Sequence, residues 1–333
     1  MFRLALRSIV KQLAFFGLCP LLYIRCRLRR RGVIVFSGHP VFSRKSEAFA
    51  DLLRRRGFHT EVRSRMSFLT RALAKSSPDL WIGFWNGVPL EFLPKTYIFV
   101  NAEPLHILVN AEPLHVKRWG DYTDWFKAMK NAKAVWGYKR QDAEFVEKLG
   151  VPFHLVPFGY APYYETIFQE HNEGKKLQQD IDVLFFGSIS ERRRRILDEL
   201  KQRGMNVHVA SEHNHVWGEK LDELLARSKI VLGIHYYDEP QMQIVDLARV
   251  DHLLSNQLFV VHERPSRFAS DPAFEQNVTT CEYHDIPDTC AHFLTRPEER
   301  ADKAATAHEW FKSEYALDAF IPYDEVQGLL RRT

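Results

Sequence analysis

The feature that most restricts the fold is a rhythm. From Val33 onward, short β-branched and apolar runs alternate with amphipathic stretches of helical length. VIVFS opens it; SRKSEAFADLLRRRG follows, with Phe49, Leu52 and Leu53 on one face and Gly57 as its stop. FHTEV, DLWIGFW and TYIFVN read as further strands, AKAVWGY and KRQDAEFVEKLG as a strand–helix pair, and VPFHLVPFGY as the close of the half. Apolar runs without alternation are strands covered on both faces, and helices between them imply βαβ units in a parallel sheet.

Between Ala161 and Asp180 the rhythm lapses into a polar stretch that reads as a linker. It then restarts: IDVLFFGS, MNVHVAS, KIVLGIHYY, LFVVHE and NVTTCEY as strands; ERRRRILDELKQRG, GEKLDELLARS and IVDLARVDHLLSN as helices. The sequence therefore predicts an α/β chain of two Rossmann-like doubly wound domains facing a central cleft. The expected divisions are 1–31 (a basic amphipathic segment), 32–160 (N-terminal domain), 161–180 (linker), 181–296 (C-terminal domain) and 297–333 (helices that could return to the first domain). In such sheets ligands sit outside the carboxyl ends of the strands.

Charge is unevenly placed. Residues 1–46 hold ten Lys or Arg and no Asp or Glu, while the other 36 basic residues face 42 acidic ones. Within that segment the apolar run Leu13–Ile24 is 12 residues, short of the roughly 20 a membrane span needs. Arginines on both sides suit a helix lying on an anionic membrane surface. The alternative is a helix packed on its own domain, its arginines reaching into water. Four cysteines (Cys19, Cys26, Cys281, Cys290) lack both metal-ligand spacing and the density of a disulfide framework, so reduced thiols in a cytoplasmic protein are expected.

Three strand ends in the second half carry candidate chemistry. In FFGSISERRRR, Gly187 and Ser188 end a strand and Ser190 suits an N-cap, so free helix N–H groups could meet a pyrophosphate. Helical phase lets at most two of Arg192 to Arg195 face one site, the rest being a solvated face. His235 follows KIVLGI, either as a site residue or as a hydrogen-bonding one. Asp246 and Arg249 share a helix face: a ribose and phosphate pair, or a simple intrahelical ion pair.

These blocks resemble the donor-binding half of GT-B glycosyltransferases, in particular the bacterial and viral glycosyltransferase family 1-like group. IDVLFFGSISERRRRILDEL, SKIVLGIHYY and DLARVDHLLSNQLFVVHE carry the likeness, and AVWGYKRQDAEFVEKLGVPFHLVPFGYAP is similar to the group's last N-domain strand and helix. The resemblance implies a nucleotide-sugar donor as substrate, no separate cofactor and no obligatory metal. It places Gly187, Ser188, Arg192, Arg193, His235, Asp246 and Arg249 at the donor. Larger retaining families carry two glutamates about eight apart here; this chain has Asp246 and Leu254.

In such a fold an acceptor base comes from the N-terminal domain. VNAEPLH occurs twice, from Val100 and from Val109, offering Glu103 and Glu112. Nine residues put two copies on opposite faces of either a strand or a helix, so at most one can address the site, with Glu103 just past a strand. His39, after VIVFSG, is the other candidate base.

The expected function is metal-independent glycosyl transfer from a nucleotide sugar to a glycan or lipid-linked acceptor. It would serve cell-surface polysaccharide assembly at the cytoplasmic membrane face, held there by residues 1–31. The alternatives are a nucleotide-sugar epimerase-like enzyme of the same fold and a non-catalytic protein binding through its basic tail. Against nucleic acid as partner, no recognised module is present and the basic residues are interleaved with apolar ones.

Overall fold

The computed structural model describes residues 32–38, 42–64, 79–85, 90, 93–101, 123–210, 216–240, 243–245, 247–267 and 271–332. The basic segment 1–31 and its expected membrane surface lie outside them. Among the described residues no helix is long and apolar enough to cross a membrane. The chain forms two compact units, one ending at Val156 and resuming at Ile321, the other Pro157–Phe320.

The first unit contains β1 (Val33–Ser37), β2 (Thr60–Arg63), β3 (Leu80–Phe84), β4 (Tyr97–Asn101), β5 (Ala134–Gly137) and β6 (Phe153–Leu155), with α1 (Ser43–Arg55), α2 (Thr123–Asn131) and α3 (Ala143–Lys148). The second contains β7 (Ile181–Phe186), β8 (Val207–Ala210), β9 (Ser228–Gly233), β10 (Val260–Glu263) and β11 (Thr279–Cys281). Its helices are α4 (Pro162–His171), α5 (Glu191–Gln202), α6 (Glu219–Ala226), α7 (Leu247–Ser255), α8 (Pro272–Asn277), α9 (Ile286–Leu294), α10 (Pro297–Glu314) and α11 (Leu317–Phe320). A last helix, α12 (Tyr323–Arg332), belongs to the first unit.

All pairings are parallel, in the orders β2-β1-β3-β4-β5-β6 and β11-β10-β9-β7-β8. In each sheet the first strand lies between the second and the third. Strand order therefore reverses beside β1 and beside β7, and such switch points are where open α/β sheets receive ligands. The expected fold class of two Rossmann-like α/β domains is the one observed.

Sequence explains the layers directly. Every residue of β1, β3 and β4 is buried, as continuous apolar runs require when helices cover both faces. Phe36 stacks on Trp85 at 4.8 Å, within a core that also takes Trp81 and Phe99. Val183, Phe185, Ile230, Leu232 and Val261 build the second core. Each such side chain contributes about 1.5–3 kcal/mol on leaving water. Helix α1 buries Phe49, Leu52 and Leu53 and stops at Gly57, whose φ of +84° few other residues tolerate.

The expected linker differs. Residues 162–171 form α4, a full element of the second unit that begins with Pro162 at its first turn. Its anchors are polar as well as apolar, which is why no apolar period shows. The Tyr164 hydroxyl donates to Asp251 (3.1 Å), and His171 Nδ1 meets the fully buried Asp222 at 2.5 Å. At the other end α12 packs on β3, burying Val326, with the Tyr323 ring beside Phe58 and under Arg56.

Two outcomes follow from this packing. Val326→Asp puts an uncompensated charge in the first core and is expected to cost about 3–5 kcal/mol, read from urea denaturation; an unchanged midpoint would show that α12 is dispensable. Cys281 and Cys290 are buried free thiols, and burial raises Cys281 to about 11. The native state then holds this proton more tightly than the unfolded chain, so stability is full below the ordinary thiol pKa and falls as pH climbs toward 11. Comparing wild type with Cys281→Ala at pH 8 and at pH 10.5 isolates that loss.

Candidate functional site

The second unit's switch point is built where β7 and β9 end. Beyond Phe186, Gly187 adopts φ +120°, a region that strains any residue with a Cβ. Its missing side chain also lets the Arg249 guanidinium come close: a Cβ on Gly187 would stand 2.6 Å from Arg249 Nη1. That nitrogen donates to the Phe186 carbonyl. The structure brings these two residues together, one at the β7 end and one on α7.

Ser190 caps α5, its Oγ accepting from Arg193 N at 3.3 Å. The N–H groups of Glu191 and Arg192, in the first turn, have no carbonyl within the helix to bond. Together with the helix dipole they favour negative charge just beyond Gly187 and Ser188.

Two of the four consecutive arginines turn inward. Arg194 and Arg195 are exposed, whereas Arg192 and Arg193 are buried. Their guanidinium groups are occupied by protein, which changes the role expected of them. Arg193 donates from Nε and Nη2 to Ile234 O (2.9 and 2.6 Å) and from Nη1 to Ser188 O (2.8 Å). It thus ties together the segments following β7 and β9. Arg192 forms a bidentate pair with Glu263, with 2.6 Å on one arm, and its Nε meets Asp238 at 2.8 Å. The Tyr283 ring stacks 3.9 Å from that guanidinium, and its hydroxyl donates to Arg192 O.

Glu263, 3% exposed, ends β10 and accepts from His235 N at 2.9 Å as well. His235 is buried; its Nε2 lies 3.2 Å from Arg264 O and its ring 5.4 Å from that of His262. His262 in turn fills the space above Gly233, where a Cβ would come within 2.4 Å of the imidazole. Sequence reasoning placed His235 here but gave Glu263 no role. Its signal is the carboxylate that ends the buried strand VVHE.

In the first unit the equivalent switch point lies past Ser37, where Gly38 N donates to Phe84 O (3.0 Å). Asn101 and Asp142 are buried together near the end of β4, with Asn101 Nδ2 3.4 Å from Asp142. His39, Glu103, Glu112 and Asp246 lie outside the described residues.

No family model matches the chain. Uncharacterized proteins L140 and L137 of Acanthamoeba polyphaga mimivirus are similar to parts of it. L140 is 28% identical over 141 residues, 42% of this chain and 44% of that protein. L137 is 33% identical over 107 residues, 32% of this chain and 14% of that protein. The chain thus spans less than half the length of either relative.

Among solved structures, WaaG, a glycosyltransferase involved in lipopolysaccharide biosynthesis, matches 89% of this chain and 99% of its own at 15% identity, TM-score 0.54. Anabaena HepE, solved in complex with UDP and glucose, matches 91% of this chain and all of its own at 12% identity, TM-score 0.52. Sucrose-phosphate synthase from Thermosynechococcus elongatus matches 91% of this chain and 98% of its own at 11% identity, TM-score 0.51. The fold is that of the GT-B glycosyltransferases.

Glu263→Gln breaks the buried pair and leaves Arg192 with only the exposed Asp238 as counter-charge. We expect a loss of about 3–5 kcal/mol, partly recovered when Arg192→Met is added. Chemical denaturation of the two single variants and the double measures this; additive losses would mean the pair is uncoupled.

Proposed function

We propose that this protein transfers a sugar from a nucleotide-sugar donor to a glycan or lipid-linked acceptor. The observation that carries the reading is the β7–α5 junction: a glycine at φ +120°, a serine and an open helix N-terminus, with Arg249 against the glycine. The first-turn N–H groups and Arg249 lie at one strand end, an arrangement suited to a diphosphate, while Gly187 N itself donates to Ala210 O (2.8 Å). As the bond to the sugar breaks, charge develops on the leaving nucleotide. Fixed N–H dipoles and a guanidinium stabilise that charge without reorganising.

In this reading Gly187, Ser188 and Arg249 meet the diphosphate, and Asp246 takes the ribose hydroxyls. Arg192, Arg193 and His235 position the loops that form the pocket. Glu103, Glu112 or His39 supplies the acceptor base. Support comes from the shared fold, since HepE was solved with UDP and glucose and WaaG is a glycosyltransferase. Residues 1–31 would hold the enzyme at an anionic membrane surface, where a lipid-linked or cell-surface acceptor is found.

The test is a panel of nucleotides in thermal unfolding, followed by turnover with the stabilising nucleotide's sugars. One nucleoside diphosphate should raise the melting temperature, and its sugar should be transferred or slowly hydrolysed. Arg249→Met should then lower kcat by about 10²–10³, with the unfolding midpoint near that of the wild type. Undiminished turnover in that variant contradicts the assignment. Release of an altered free sugar with no acceptor would instead favour the epimerase-like alternative.

A further inference from the structure

The second unit has a concavity at the edge of its sheet opposite the switch point. It opens where the strands begin, beside Ser228 and Lys229 of β9, Phe259 ahead of β10 and Gln179 ahead of β7. The switch point lies at the other end of these strands. The six residues of β7 span roughly 17 Å at ~3.3 Å each. The cavity measures about 470 Å³, within the ordinary range for small-molecule sites.

Its lining is one-sided in charge: it includes Lys176, Lys229 and Arg300 and no Asp or Glu. Lys229 is already matched, its Nζ lying 2.7 Å from Asp182 behind the wall. The other two are not. Lys176 is exposed and has no ion-pair partner among the described residues. Arg300 is only 8% exposed and donates through Nη1 alone, to the carbonyls of Phe293 (2.5 Å) and Leu294 (3.2 Å). Its Nε and Nη2 have no hydrogen-bond partner among the described residues. Three of the five guanidinium N–H groups are thus left over, and solvent reaches them, so an oxyanion in the cavity can take them. Burial lowers its pKa, and Asp182 offsets part of that.

The remaining wall mixes the polar Gln179, Ser228 and Gln257 with an apolar side. Pro297, Ala301 and Ala304 share one face of α10 with Arg300, and Leu258 faces the same space.

We propose that this cavity binds a small organic anion. Its phosphate or carboxylate is held by Arg300 Nε and Nη2 beside Lys176, and its apolar body lies against Leu258 and the Pro297–Ala304 face. Planar, bidentate pairing is what a guanidinium offers either oxyanion. The site is separate from the nucleotide-binding switch point, and its occupancy needs no turnover to be seen.

The experiment uses the full chain with phenyl phosphate as probe, and inorganic phosphate and phenol as controls. Phenyl phosphate should give a saturable rise in melting temperature of about 2–4 °C; phenol should give none and inorganic phosphate less. Saturating UDP should leave that response intact, because the two sites lie at opposite ends of the strands. Arg300→Met should lower the affinity at least tenfold. Should that variant fold poorly, Ala301→Glu serves, because it changes an exposed helix position and sets a carboxylate at the mouth. It should weaken binding by a similar factor. No saturable shift, an unchanged affinity in Ala301→Glu, an equal response to inorganic phosphate, or displacement by UDP would each overturn the assignment.

Discussion

A carboxylate with 3% exposure at the end of a parallel strand is a costly thing to bury, and the second unit is organised around meeting that cost. Glu263 receives both arms of Arg192 and the His235 N–H. Loss of hydration for an isolated carboxylate runs to several kcal/mol, so the arrangement is tolerable only with geometry this complete. The three groups come from α5, from the segment after β9 and from β10. Satisfying one carboxylate therefore fixes three strand-end segments at once. Arg193 repeats the device with carbonyls in place of a carboxylate, linking Ser188 to Ile234.

What these anchors leave is a rigid rim with selected openings. Gly187 and Ser188 are held from behind, so their backbone faces the space beyond the strand in one conformation. Arg249 reaches that same place from α7, over the glycine. Preorganised dipoles of this kind favour a charge that appears during reaction, because they need not move to meet it.

Much of this was legible in the chain before any coordinates. Strands such as β1, β3 and β4 were readable because a parallel strand covered on both faces shows as an unbroken apolar run; β2 (TEVR) and β8 (VHVA) are half-buried and show it less. Helix α4 was not readable, because Tyr164 and His171 anchor it through Asp251 and Asp222, far along the sequence. At the site, helical phase correctly allowed only two of the four arginines to turn inward. Their occupation was invisible, since Glu263 stands 71 residues from Arg192 and pairing over that span is decided by the sheet order. The glycine's role followed from local chemistry, and the arginines' role from topology.

One feature of the chain path bears on how the protein is made. The first unit draws its final helix, α12, from residues after Ile321, although its sheet is complete by Leu155. A ribosome delivers the N-terminal strands early, yet the helix that covers β3 emerges only once the whole second unit has been synthesised. The unit that begins first therefore receives its last described helix after every strand of its neighbour has been made. For these two units the order of birth and the order in which their described elements are completed run opposite ways.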